Sequence, residues 1–165
     1  LWLSEIPDES YKRFIRDKFE EHRRSIDDDA IDFILWWTFT HTYYTQIICN
    51  GVFANCGDRV TLDKVKQVCE NQLDMQRFTF MQYRNILSPV QWQLLLAIAK
   101  EGAVAEPQSQ KFLQKYKIGS PSSAKKALEA LLAKEMIYTV EREEKTAYRV
   151  YDVFLMRWLE RTFHV

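Results

Sequence analysis

The sequence predicts a mainly α-helical protein, in which a helical bundle is followed by three helices, a two-stranded β-ribbon and a closing helix. Apolar residues make up 47% of the 165 residues, which is enough to build a core. Four glycines and four prolines are few for this length, and this scarcity favours helices over a turn-rich β fold. Serine-proline pairs also open two strongly helical stretches in the second half of the chain.

The first half, residues 1–87, is predicted to form about four helices. Apolar residues from Tyr11 to Phe19 recur at helical spacing and indicate the first. A second helix is expected to start at Ser25, because serine caps helices and the three aspartates after it suit a first turn. That helix runs into Trp36-Trp37. One of these two side chains should lie in the core and the other at an interface, because adjacent residues cannot share one helix face.

Two more helices complete this half. One runs from Tyr43 to about Ala54 and ends at a loop in which Gly57 suits a positive φ. The other is capped by Thr61 and extends from there to about Arg84. Because almost no linker follows it, we expect two packed subdomains, residues 1–87 and residues 88–165.

The second half has the element order of a winged helix. Ser88-Pro89 opens a helix that stops at Gly102, and Ser120-Pro121 opens another. Residues 137–140 and 148–151 read as two strands around a charged turn, and a last helix follows Asp152. The helical spacing predicts a shared core made of Trp92, Leu95, Leu128, Leu131 and Trp158.

Charge and cysteine content limit the setting of the protein. Residues 1–87 hold 11 basic and 14 acidic residues, and residues 88–165 hold 12 and 9, so the second half is mildly basic. The three cysteines lack the spacing of a disulfide framework or a zinc site, which favours a reducing cytoplasm. The sequence contains no apolar run long enough for a membrane span, and no signal peptide is visible at its start.

We predict no catalytic or metal site. The sequence has no GxxxxGK[ST] loop for nucleotide phosphates, and its three histidines lie far apart without a ligand partner at helical spacing. Asp27-Asp28-Asp29 with Asp32 could suggest a cation, but acids in a first helical turn more simply compensate the helix dipole. The serines of 120–123 read as a capping segment rather than as a nucleophile.

The helix after Ser120 is the one that would enter a DNA groove in a DNA-binding winged helix. Its outward face offers Ser123, Lys125, Lys126, Glu129 and Lys134. Lys125 and Lys126 could contact phosphate, but no Arg, Asn or Gln on this helix is placed to read a base. The turn of the ribbon carries three acids, Glu141, Glu143 and Glu144, which repel phosphate. We therefore expect DNA binding to be weak and independent of sequence.

Three stretches resemble a known family. They are Leu87 to Gly102, Gly119 to Leu131 and Tyr148 to Leu159, and they follow a helical bundle. Together they resemble the C-terminal part of archaeal-type P-loop ATPases of the AAA+/STAND kind. The resemblance implies that residues 1–87 correspond to the helical lid and residues 88–165 to the winged helix. It implies that this chain is part of a longer protein, here called the parent.

The resemblance also implies one candidate nucleotide-facing residue, His41. Lids of this family often carry Gly-His-Pro or Gly-Asn-Pro, then two tyrosines and a glutamine, at the start of a helix that faces the nucleotide. Here His41, Tyr43, Tyr44 and Gln46 match that pattern, whereas Thr40 and Thr42 replace its glycine and proline.

Because the phosphate-binding motifs are absent from this sequence, the resemblance implies that the chain is not an enzyme and holds no cofactor by itself. ATP and Mg²⁺ would bind to the parent's core. The expected role is to report the nucleotide state of that core to a protein partner, through a lid that closes and a winged helix that moves with it. The alternative is a stand-alone winged-helix transcriptional regulator that binds DNA.

Overall fold

The computed structural model describes residues 8–142 and 145–163. The helices in these ranges are α1 (Asp8–Glu20), α2 (Asp28–Thr38), α3 (Thr42–Asn55), α4 (Leu62–Ile86), α5 (Pro89–Glu101), α6 (Gln110–Lys115), α7 (Pro121–Ala133) and α8 (Val153–Thr162). The strands are β1 (Ser25–Ile26), β2 (Arg59–Val60), β3 (Ile137–Arg142) and β4 (Lys145–Val150). The predicted mainly α-helical class with a small β-ribbon is confirmed.

The chain divides into two compact units, Leu1–Asp74 (unit 1) and Met75–Val165 (unit 2). The division falls inside α4, which begins in unit 1 and ends in unit 2. The domain boundary that the sequence suggests, after residue 87, stays a prediction. No helix in the described ranges combines the length and the apolar composition that crossing a membrane requires.

Unit 1 contains a short parallel β pair that the sequence analysis did not predict. Ser25 pairs with Arg59 and Ile26 with Val60, so the pair joins the segment before α2 to the segment after α3. The Arg24 guanidinium donates to the backbone carbonyls of Phe53 and Cys56 at the same place. Two-residue strands carry too little alternation to be seen in a sequence pattern.

The β pair corrects the predicted start of α2. Ser25 lies in β1 and does not cap the helix; Asp27 occupies the N-cap position, with φ −70° and ψ 147°, and its side chain makes no capping hydrogen bond. Gly57 does not have the positive φ that the sequence suggested. A positive φ occurs instead at Gly102, just after α5, at 71°.

The core of unit 1 is built from the inward faces of α1 to α4, with Ile31, Ile34, Ile48, Val52 and Val65 among its fully buried residues. Trp37 is buried and Trp36 is 61% exposed, as expected for adjacent helical residues. The two helices α3 and α4 approach closely at Gly51, where an added Cβ would lie 2.9 Å from Cγ1 of Val68. Gly51 is therefore required by space rather than by backbone conformation.

Helices α5, α7 and α8 start where the sequence predicts, whereas no start was predicted for α6. The Ser88 hydroxyl accepts from the backbone N–H of Gln91, whose side chain accepts from the Ser88 N–H, a complete capping box. Ser120 caps α7, and Asp152 caps α8 by accepting from the backbone N–H groups of Phe154 and Leu155. The last helix thus begins directly after Asp152, as the sequence predicts.

The predicted winged-helix core is also confirmed. Trp92, Leu95, Leu128, Leu131 and Trp158 are all buried, and Leu95 and Leu131 are fully so. Strands β3 and β4 pair antiparallel with Ile137 opposite Val150, and Val104 bridges to Tyr148 at the side of the ribbon. The C-terminal part of α4 joins this core through Phe80, whose ring lies 5.6 Å from that of Trp158.

Candidate interaction surfaces

The outward face of α7 carries the residues that the sequence analysis proposed for phosphate contact. Ala124, Ala127, Leu128 and Leu131 are buried, which leaves Lys125 and Lys126 exposed on the other side. The Ser123 hydroxyl is half-buried and donates to the Ser120 carbonyl at 2.8 Å, so it is engaged in the cap of its own helix. The structure thus makes the two lysines accessible and gives Ser123 a structural partner.

The segment before α7 adds lysines that the sequence analysis did not consider. Lys111, Lys115 and Lys117 are exposed on α6 and in the turn after it. Lys115 is compensated, because its Nζ lies 2.5 Å from Oε1 of Glu101. Lys115 and the Tyr116 hydroxyl both donate to Glu101, and these hydrogen bonds lower the pKa of the Glu101 carboxyl.

The wing presents an acidic residue to solvent. Glu141 is exposed on β3, opposite Thr146 of β4, whose hydroxyl donates to the Glu141 carboxylate at 3.5 Å. Glu143 and Glu144, the other acids of the predicted acidic tip, lie outside the described residues. In the described residues of β3 and β4, Glu141 accompanies three basic residues, Arg142, Lys145 and Arg149, so these strands carry no excess of negative charge.

An exposed apolar surface on the C-terminal part of α4 was missed by the sequence analysis. Its members are Met75 (72% exposed), Phe78 (80%), Met81 (41%) and Ile86 (62%), and we call them the α4 stripe. On the opposite side of the same helix Phe80 is only 1% exposed. The signal was present in the sequence, because this segment is apolar on more than one face, and such a helix has more than one surface to cover.

A hollow of about 460 Å³ adjoins the stripe in unit 2. Ile86 and Tyr83 of α4 line one side, and Met136, Tyr151 and Leu155 are among the residues that line the rest. Tyr151 is 61% exposed and packs edge-on against Tyr138, with ring centroids 5.8 Å apart. Lys134, Glu135 and Asp152 complete the lining, so the hollow combines apolar and aromatic walls with a charged part.

His41 lies in unit 1 at the N-cap position of α3, with no capping hydrogen bond from its side chain. Its exposed ring packs edge-on against the buried Tyr44, with centroids 5.0 Å apart, while Tyr43 is 61% exposed. Thr40, which replaces the glycine of the resembling family, has φ 56°. This left-handed conformation is one that glycine adopts without strain and a β-branched residue rarely does. Whether His41 faces a nucleotide stays a prediction.

Three of the four acids that could suggest a cation site form ion pairs with basic residues. Asp27 pairs with Arg59 at 3.1 Å, Asp28 with Arg16 at 2.5 Å, and Asp32 with Lys12 at 2.7 Å. Each of these pairs has at least one exposed side chain. Over residues 8–142 and 145–163, no cluster of three or more His, Cys, Asp or Glu side chains is arranged to hold a metal ion.

A second groove, of about 410 Å³, lies between α1 and α3 in unit 1. Phe14, Phe19 and Phe53 line it together with Tyr11 and Cys49. The pKa of the buried Tyr11 hydroxyl is raised, because desolvation by burial outweighs the opposing effect of the Thr45 and Thr42 side chains. Burial also raises the pKa of Cys49 to about 12, so this thiol stays protonated and is a poor nucleophile near neutral pH.

Comparison with known proteins places the second half of the chain in a family. Comparison with curated proteins finds no match. Among solved structures, the Bacillus subtilis DNA clamp loader delta protein is similar over 96% of this chain, with 15% identity and a TM-score of 0.33. The chain spans 58% of the length of that protein. The profile of a family described as "Probable winged helix domain" matches residues 78–161, more than half of the 165 residues. The chain thus belongs to this family of winged-helix domains.

Proposed function

We propose that this chain is a non-catalytic winged-helix module that acts by binding a protein partner. We propose further that in the parent it couples the nucleotide state of a P-loop ATPase core to that partner. The observation that carries the proposal is the α4 stripe, which exposes four large apolar side chains on the unit that contains the winged helix. A cluster of exposed large apolar side chains on a folded domain is typical of a protein-binding site, although the exposed polar residues Gln82 and Asn85 lie on the same face of α4.

The composition of helix α7, the helix that would enter a DNA groove, favours binding to protein over reading of DNA sequence. Its exposed positions carry Lys125, Lys126 and Glu129, and none of them can make the bidentate contacts by which Arg, Asn or Gln reads a base edge. Two lysines without base-reading partners favour weak phosphate contact only.

The coupling part of the proposal has a narrower basis. It is supported by the resemblance of residues 1–87 to an ATPase lid and by α4, a helix of 25 residues shared by the two compact units. Sequence from Leu62 to Ile86 contains no glycine or proline that would break it. Because α4 is continuous, the lid-like region and the winged helix share one helix. A movement of the lid could then be passed to the winged helix through α4.

A second candidate function is that of a DNA-binding transcriptional regulator, and the two exposed lysines of α7 favour it. The discriminating experiment measures the affinity of labelled duplexes for the chain at low and physiological salt. We expect weak binding that is equal for all sequences, falls as salt rises, and is lost in the Lys125→Glu, Lys126→Glu variant. Lys64→Glu with Lys66→Glu, which changes exposed lysines in unit 1, is the control. A preference above about a hundredfold at physiological salt would establish the regulator instead.

The coupling itself is tested in the full-length parent. Its affinity for the partner should differ between the ATP-bound and ADP-bound states, and His41→Ala should reduce that difference if the histidine senses nucleotide. Equal affinities in the two states would refute coupling. The chain alone should neither bind ATP tightly nor hydrolyse it, and submicromolar ATP binding in a calorimeter would contradict the proposal that this module is non-catalytic.

A further inference from the structure

The geometry of the α4 stripe fits the packing of one more helix. At 100° per residue, its four members fall within about 140° of the circumference of α4, and they span about three turns. A ridge of this kind packs against a second helix whose side chains fit between its own. Two of the four members are methionines, whose flexible side chains adapt to a partner's surface.

The adjoining hollow could hold one side chain of the docked helix, which the α4 stripe alone could not do. Ile86 belongs to both the stripe and the wall of the hollow, so the two form one surface. A volume of about 460 Å³ is ample for a large apolar side chain. Binding energy at such surfaces concentrates where an aromatic or aliphatic anchor fills a pocket. A docked helix would lie along the stripe and place one such side chain in the hollow.

Charge identifies the chemistry of the occupant. From Met75 to Ile86 the only charged residues are Arg77 and Arg84, and both are exposed; the charged residues of the hollow, Lys134, Glu135 and Asp152, lie outside α4. Because they are seven residues apart, they lie two turns apart along one side of the stripe. A second copy of this chain, docked through the same stripe, would bring arginines of both copies together. A helix with carboxylates at the matching spacing would instead pair with them.

We propose that the α4 stripe and its hollow dock an amphipathic α-helix whose apolar face is flanked by carboxylates two turns apart. This inference rests on the proposed protein-binding function and specifies the partner. Nucleic acid would engage the two arginines but would leave the four apolar side chains uncovered. A helix of this composition covers both parts of the surface.

The test uses the whole chain and two labelled synthetic peptides. Both are helical and carry leucines along one face and a tryptophan near one end; the first has glutamates at two flanking positions seven residues apart, and the second has lysines there. Binding is followed by fluorescence anisotropy. We expect the glutamate peptide to bind at least tenfold more tightly than the lysine peptide, and the Arg77→Glu, Arg84→Glu variant to reverse that preference.

Two further variants test the apolar part. Phe78→Asp should abolish binding of the glutamate peptide, whereas Tyr43→Asp, which changes another exposed aromatic residue, in unit 1, should leave it unchanged. Circular dichroism of each variant confirms that it is folded. Equal binding of both peptides, binding that survives Phe78→Asp, or binding of neither peptide would overturn the inference.

A second copy of this chain is the competing occupant of the α4 stripe. Sedimentation of the chain should show a monomer at the concentrations of the binding assay. A dimer that Phe78→Asp dissociates would assign the stripe to a second copy and overturn the inference. These outcomes leave the proposed function itself open to its own tests, because DNA specificity and nucleotide-dependent partner binding are measured separately.

Discussion

The helices of the two units begin in different ways. In unit 2, helices α5 to α8 each start at a residue whose side-chain oxygen accepts a backbone N–H: Ser88, Ser109, Ser120 and Asp152. In unit 1, α2 and α3 start at Asp27 and His41, and neither side chain makes such a hydrogen bond. Helix starts are therefore fixed by adjacent residues in unit 2, and by contacts between distant segments in much of unit 1.

The largest effect that can test this contrast is the loss of a core residue shared by the locally defined helices. Leu128 is 4% exposed on α7, and Leu128→Ala should lower the free energy of unfolding by roughly 2–5 kcal/mol, because it leaves a cavity. Leu132→Ala, at a half-buried position of the same helix, should cost less. Chemical denaturation measures both. A loss below about 0.5 kcal/mol for Leu128→Ala would mean that α7 is oriented differently.

The next effect compares the helix starts directly. Asp152→Ala removes a side chain that accepts from two backbone N–H groups and should cost about 1 kcal/mol. Asp27→Ala removes no cap and only a pairing with an exposed Arg59, so it should cost less. Equal losses for the two variants, measured by thermal and urea unfolding, would break the contrast between the units.

A smaller effect tests the long-range contacts of unit 1. Gly51→Ala places a Cβ 2.9 Å from Cγ1 of Val68, and we expect a net loss of about 1 kcal/mol, because the clash outweighs the better helix propensity of alanine. In a Val68→Ala background the same substitution should be neutral or stabilising. Gly57→Ala, which meets no atom within 4 Å, is the control. If Gly51→Ala stabilised the otherwise unchanged chain, α3 and α4 would not be in close contact.

The smallest effect concerns pH. The pKa of Glu101 is lowered by hydrogen bonds from Lys115 and Tyr116, so its ionised form stabilises the fold above the ordinary carboxyl pKa. That contribution is lost as pH falls through the lowered pKa. Glu101→Gln should therefore be slightly less stable than the original chain at neutral pH, and the difference should shrink in acid. A difference that stays constant from pH 7 to pH 3 would show that ionisation is irrelevant.

The same contrast explains what the sequence could predict. Serine caps, a proline in the first turn and alternating strands are local signals, and they led to the start of α5 at Pro89 and to the ribbon at residues 137–150. The start of α2 was wrong because Ser25 is taken up by a strand pair with Arg59, which no local pattern reveals. Fold prediction succeeded where structure is determined by neighbours in the chain.

The candidate surfaces were predictable to different degrees. Lys125 and Lys126 could be placed on the outside of α7, because the buried residues of that helix recur at helical spacing. The α4 stripe was not predicted, because periodicity alone does not tell which of two apolar faces meets a neighbour. Phe80 and Phe78 are two residues apart in the sequence, yet one is buried against Trp158 and the other is 80% exposed.

The parallel pair of β1 and β2 has a consequence for the order of folding. Pairing Ser25 with Arg59 closes a loop that contains all of α2 and α3, whereas the ribbon pairs residues close in the sequence, such as Arg142 with Lys145. The longer closure costs roughly 2 kcal/mol more chain entropy than the short one. We therefore expect the β1–β2 pair to form after the helices that it encloses. Mutations that weaken this pair should then increase the unfolding rate and leave the folding rate nearly unchanged. Unfolding of unit 1 would then begin with the separation of β1 from β2.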